Sequence, residues 1–272
     1  MTTSTLITSS PRTSEQDNHI AQLASVGARK ALGNLKLDSA ATQRVAMRFD
    51  EVLQAMSAKM AEVAIDPVAT TSEQKRAREI MGKNFLGIEE VTKHYGMAFS
   101  AEQLASLTTI PFSEATLKDC KDTHILVAGF PMTILEIRAK APKNPKTFYS
   151  YKDAWYNNEA FAKNERVELR WYLIRKDIVA NSTSKDFETQ KGLLSEHEMV
   201  PRACEFTYAI VLYFLVTDER LFGIVYARCI DLDSVRYRVS VGGFDSDGLH
   251  VFSRWDGHPS GDVGLASSWK SN

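Results

Sequence analysis

The chain has 272 residues, 44% of them hydrophobic and 25% charged, the composition of an ordinary folded protein with room for a sizeable core. Thirty-three basic side chains against 34 acidic ones leave a net charge of −1, so no long-range field draws in a nucleic-acid backbone or an acidic membrane. Nucleic acid is not expected as a partner. The cysteines, Cys120, Cys204 and Cys229, are too widely spaced for a zinc-ligand pattern and read as buried, reduced thiols; no metal and no cofactor are expected.

Residues 1–13, rich in Ser and Thr, read as a disordered tail and lack the basic and apolar stretches of a signal peptide. That places the chain in the cytoplasm, with non-classical export left open. Apolar side chains then recur at helical spacing from Ile20 through Leu23, Ala31 and Leu35. Asp38 or Ser39 can cap a second helix to about residue 65, whose stripe is Val45, Phe49, Val52, Leu53, Met56, Met60 and Val63. These two helices can pair with each other or offer their seam for self-association. Thr71 with Gln74 and Ser100 with Gln103 have capping-box spacing, 80–95 has helical periodicity, and Ser113 opens a helix to Cys120. Residues 14–121 are therefore expected to be helical, and they hold no catalytic cluster.

The pattern changes at Asp122. Residues 124–127 and 133–138 are β-compatible, and 140–146 is a solvated basic loop. Tyr149, Tyr151, Trp155, Tyr156 and Phe161 can form a ligand platform, but mixed with Lys152, Asp153, Asn157 and Asn158 they are read as aromatics packing a loop onto the core. A strand is expected over 169–176, a short helix opened by Thr183 and Asp186, and a buried apolar helix after Pro201. The apolar run in that helix, 206–216, is about half the roughly 20 residues of a bilayer crossing, so no membrane span is expected. From Phe222 onward come short strands and glycine turns: 224–229, 236–241, 249–253 and a closing strand over 263–269. Alternation turns Val239, Val241, Leu249 and Val251 inward and Arg238, Ser240, His250 and Phe252 outward. The expectation for 222–269 is an antiparallel sheet with those inward residues and Leu265 buried and Trp255 as a buried framework anchor.

Between Arg220 and Trp269 there is no Lys, Glu, Gln or Met. Turn chemistry accounts for the Asp, Gly and Ser there, but not for the missing Lys and Glu on strand faces. The run Arg228-Cys229, Asp231-Leu232-Asp233-Ser234, Arg238-Val239, Val241-Gly242, Phe244, Gly248-Leu249, Val251, Trp255-Asp256, Gly264-Leu265-Ala266-Ser267 and Lys270 resembles the C-terminal variable region of target proteins of diversity-generating retroelements. Phe148-Tyr149-Ser150 and Asp153-Ala154-Trp155-Tyr156-Asn157 resemble the conserved body of such chains. The resemblance implies that adenine-directed mutagenesis of asparagine codons rewrites the surface, and such codons never yield Lys, Glu, Gln, Met or Trp.

The resemblance further implies an α+β architecture: an N-terminal helical segment, then a C-type-lectin-like domain over 122–272 with small antiparallel sheets and a variable region at about 230–270. Its function would be binding of a protein or other surface ligand, without catalysis. The ligand-binding set would be Tyr237, Ser240, Gly243, Asp245, Asp247, His250, Phe252, Ser253, Arg254, Gly257, His258, Ser260 and Asp262, converging on one patch. Two alternatives share this fold. An oxygenase of the formylglycine-generating type needs paired cysteines or a His/carboxylate cluster, for which only His250 and His258 with Asp256 and Asp262 offer themselves. A calcium-dependent sugar-binding lectin would use Asp245, Asp247 and Asp256, without an accompanying Glu-Pro-Asn element.

Overall fold

In the computed structural model, which describes residues 71–271 and, before them, only 38, 39, 43, 47 and 48, polar caps open the first helices. Thr71 Oγ1 accepts the Gln74 amide at the head of α1 (Ser72–Met81). After Gly87, α2 (Ile88–Tyr95) begins with the Glu90 carboxylate accepting the Gly87 N–H at 2.7 Å. Ser100 and Gln103 form a reciprocal capping box on α3 (Ala101–Ser106), and Ser113 caps α4 (Glu114–Cys120). The tail over 1–13, the helix expected over 14–37 and nearly all of that over 38–65 lie outside the described residues; Ser39, Gln43 and Met47 are helical. The chain divides into two units, Met1–Ala64 and Ile65–Asn272, so the helices from α1 to α4 belong to the same unit as everything after Asp122.

The region expected to be wholly helical also supplies a strand. Gly82, at φ +54°, ends α1, and β1 (Phe85–Leu86) pairs parallel with β2 (His124–Ala128). β2 lies antiparallel to β3 (Trp171–Arg175), which pairs through β9 (Ser268–Trp269) with β4 (Glu198–Met199), giving the order β1-β2-β3-β9-β4. The strand expected over 133–138 is instead α5 (Ile134–Lys140). Thr133 and Glu136 form a capping box there, and Ile134 and Ile137 enter the core from one helical face. A short helix, α6 (Ala160–Lys163), follows a 3₁₀ turn at Trp155–Asn158. The next helix, α7 (Phe187–Lys191), is capped by Asp186 alone, which accepts the Thr189 amide.

The apolar helix after Pro201 is α8 (Ala203–Thr217), buried continuously from Ala203 to Phe214. A helix apolar on every side must be surrounded, and α8 packs on both sheets: Tyr208 Oη donates to Ala128 O in β2 at 2.9 Å. Phe214 meets Phe244 of the second sheet edge-on at 5.0 Å. That sheet comprises β5 (Tyr226–Leu232), β6 (Arg238–Asp245), β7 (Gly248–Arg254) and β8 (Val263–Leu265), in the order β7-β6-β5-β8.

Val239, Val241, Leu249, Val251 and Leu265 are all buried, as their alternation predicts. The antiparallel expectation holds for β5–β6–β7, but β8 runs parallel to β5, and the closing segment is split between the two sheets. Two further expectations are corrected. Trp255 is 63% exposed and folds over Gly257 instead of anchoring the core. Arg238 and Ser240 do point away from the core, yet both are buried, because a second layer of chain covers that part of the sheet. The architecture is mixed α+β with two small sheets. Among the described residues no helix is long and apolar enough to cross a membrane.

The start of β2 carries an acid-sensitive group. His124 is buried, its Nδ1 shares a 2.8 Å hydrogen bond with Thr123 Oγ1, and its Nε2 has no hydrogen-bond partner. Burial first, and then the Arg175 charge, push its pKa down to about 4. Between that value and the unfolded one near 6.5 the unfolded state binds more protons, so stability falls as the pH falls through this window. From pH 6.5 to 4.5 His124 should remove about 2 kcal/mol of stability. Urea unfolding at both pH values should show that increment in the native chain and lose it in His124→Gln.

Candidate binding surface

The outer face of β5–β6–β7 follows from register. Tyr226, Gly242 and His250 lie side by side across the three strands, as do Arg228, Ser240 and Phe252, with Arg238 opposite Arg254. The alternate residues, Ala227, Val239, Val241 and Val251, enter the main core.

One part of this face is roofed. Arg228, fully buried, donates to Lys185 O at 3.1 Å, Gln190 Oε1 at 3.0 Å and His258 O at 2.7 Å. Gln190 in turn donates to Ser182 O and Val263 O. Arg238 grips both oxygens of Asp256, at 3.0 and 2.7 Å, and its guanidinium lies 3.8 Å from the Phe187 ring centroid. These bonds hold α7 and the loop over 255–262 onto the sheet. They explain why Ser240, expected as an exposed contact, is fully buried, with its Oγ and the neighbouring Arg228 Nε lacking hydrogen-bond partners. Burial lowers the Arg228 pKa from its ordinary value.

The other part is open and aromatic. His250 stacks on Tyr149 with centroids 4.0 Å apart and planes at 22°. Tyr226 lies 6.3 Å from His250 and 6.2 Å from Phe252. The Arg254 guanidinium covers Phe252 at 5.1 Å and donates to Ser260 Oγ at 2.8 Å; its ion pair with Asp262 is 3.4 Å long. Ser260 also donates to Asp262. Beyond Tyr149, the Lys146 ammonium sits 5.4 Å from that ring and 3.9 Å from Asp247. Glycine makes room for this arrangement: Gly243 has φ +57°, and a Cβ there would lie 2.6 Å from the Tyr226 hydroxyl. His250 has its pKa lowered, chiefly by burial and also by Lys146, against opposing pulls from Asp245 and Asp247. The neutral ring is thus favoured in the stack.

Of the expected set, His250, Phe252, Arg254, Ser260 and Asp262 come together on the open face, and Asp245 and Asp247 stand at the adjoining β6–β7 turn. Gly257 and His258 lie in the roofing loop, where the His258 carbonyl serves Arg228. Gly243 is buried beneath Tyr226, a spacer instead of a contact. Tyr237 and Ser253 have the opposite strand parity and meet elsewhere: the Tyr237 amide donates to Asp233 Oδ1 and Ser253 Oγ to Asp233 Oδ2. Sequence reasoning missed Tyr226, and it favoured a loop-packing role for Tyr149 over a place in a ligand platform. Tyr149 reaches the face because Leu249 exchanges backbone hydrogen bonds with Thr147 and Tyr149, a pairing that no local pattern signals.

The chemistry of the three thiols is muted. All are free and buried, and burial pushes Cys120 up to about 11 and Cys204 and Cys229 higher still. Cys204 and Cys229, far apart in sequence, come near enough to influence each other electrostatically across the α8–β5 contact. Among the described residues no group of three or more His, Cys, Asp or Glu gathers as a metal site would require. Compared with protein-family models, curated proteins and solved structures, the chain matches none.

The Arg228 clamp yields a direct expectation. Arg228→Met removes a buried cation from three acceptors, and should cost about 3 kcal/mol or more in urea unfolding. His250→Ser and Arg254→Ser, on the open part, should each stay within about 1 kcal/mol of the native chain.

Proposed function

We propose that this chain is a non-catalytic recognition protein whose ligand surface is the open outer face of β5–β6–β7, diversified by retroelement mutagenesis on a C-type-lectin-type body. The observation that carries the reading is the row Tyr149, His250, Phe252 and Arg254, with Tyr149 and Phe252 exposed and His250 and Arg254 half-buried, along the open face of the sheet. Phe252 is 43% and Tyr149 54% exposed, although aromatic side chains of this size ordinarily bury themselves. Rigid aromatics with a neighbouring guanidinium and small hydroxyls are the residue types of antibody paratopes, where large contact area comes at low cost in side-chain entropy. The missing Lys, Glu, Gln and Met between Arg220 and Trp269 give the diversification half of the reading its support.

The division between pinned and exposed residues makes the genetic prediction specific. Sequencing the flanking DNA should reveal a near-copy of the codons for 230–270 beside a reverse-transcriptase gene. Adenines should fall at the codons for Asp245, Asp247, His250, Phe252, Arg254 and Asp262, and the codons for Val239, Val241, Leu249 and Val251 should be unchanged. Absence of such a repeat, or adenines spread equally over the buried valines, would contradict diversification.

A further inference from the structure

Beside the aromatic row lies a cavity of about 240 Å³ lined by Tyr149, Asp153, Trp155, Tyr156, His250 and Val251, among others. We infer that it receives an arginine side chain projecting from the bound protein; the inference rests on the recognition reading above and names the chemistry of its partner.

Three features point to that occupant. The first is a set of rings fixed in place. Trp155 Nε1 donates to Val251 O at 2.8 Å, and the indole meets Tyr156 edge-on at 5.8 Å and Phe161 at the same distance, while remaining 43% exposed. A tryptophan held this firmly, with a large part of its surface in water, is a preorganised platform. The second is the charge of the wall. Asp153 lines the cavity exposed, and no hydrogen bond or ion pair among the described residues engages its carboxylate. Asp245 and Asp247 bear on His250 from the turn; of the cations beside the wall, Lys146 is already within 3.9 Å of Asp247, and Arg138 is buried and donates to Asn157 Oδ1. His250 itself has its protonation disfavoured. The third is that rings of this wall already take cations: Lys146 lies over Tyr149 and Arg138 over Tyr156.

Arginine fits this wall better than lysine. Its planar guanidinium stacks on an aromatic face while its fork of donors pairs with a carboxylate, and it is more weakly hydrated than an ammonium. Trp155 and Asp153 belong to the part of the chain outside the variable region, so this subsite would be common to all sister copies while the adjoining row varies.

The test uses the intact chain with ¹⁵N-labelled indoles and follows the Trp155 Nε1–H resonance, assigned with Trp155→Phe. The probe is N-acetyl-arginine amide, with N-acetyl-citrulline amide as its uncharged counterpart of the same shape. The arginine probe should shift the resonance saturably, with citrulline and the Asp153→Asn variant each about tenfold weaker, the loss expected for a charge-assisted bond. Equal shifts by both probes, no saturable shift, or an unchanged response in Asp153→Asn would overturn the proposal. Because the test turns on Trp155 and Asp153 and not on a template repeat, failure here leaves the diversification reading standing. Arginine binding without a template repeat would do the reverse.

Discussion

A buried guanidinium without a carboxylate partner organises this molecule's second sheet. Arg228 is stranded on the outer face of β5, away from the core, where three neutral acceptors must together satisfy it. Two of them, Lys185 O and Gln190 Oε1, lie at the approach to α7 and within it, and the third belongs to the loop before β8. Their convergence ties distant stretches of chain to one point. Lysine would fit less well, since its donors all sit on one strongly hydrated nitrogen, whereas the planar guanidinium spreads donors over separate nitrogens. Arg238, one strand over, ties down the same roof through a carboxylate, Asp256, and through the Phe187 ring of α7.

The consequence is a face in two parts with different physical duties. Where α7 and residues 256–258 lie, Arg228 and Arg238 are bonded to the roof and Ser240 is covered by it, so that exchange disturbs the fold. Beyond their edge the side chains stack mainly on one another, and the backbone under them is fixed by the β-ladder and by α8 on the far side. A change of residue there alters shape and charge with little effect on stability. Recognition surfaces need this separation, because affinity depends on a few rigid anchors while specificity depends on their replaceable neighbours.

Much of this was legible in the sequence. Caps at Thr71, Ser100 and Ser113 are local chemistry, and the alternation of Val239, Val241, Leu249 and Val251 is a period that nothing else produces. The errors are of one kind, where tertiary structure overrides local pattern. Residues 133–138 have strand composition, but a capping box and a helical apolar face prevailed. Ser240 and Arg238 alternate outward as expected, and only the long-range clamp decides that outward there means buried. Trp255 illustrates the converse, a large apolar residue assigned to the core on size alone, with no strand to carry it inward. The sequence favours a loop-packing role for Tyr149, because its stacking on His250 depends on a pairing across a hundred residues of chain, which periodicity does not encode.

The central claim is that one sheet face holds a clamped half that cannot vary and an open half that can. It is tested most directly by a display library in which each position from 226 to 265 is varied in turn and the folded clones are sorted by protease resistance. The account predicts broad tolerance at Asp245, Asp247, His250, Phe252 and Arg254, and narrow tolerance at Arg228, Arg238, Val239, Val241 and Gly243. Equal depletion of both groups would contradict it, since the face would then be framework throughout and no part of it free to diversify.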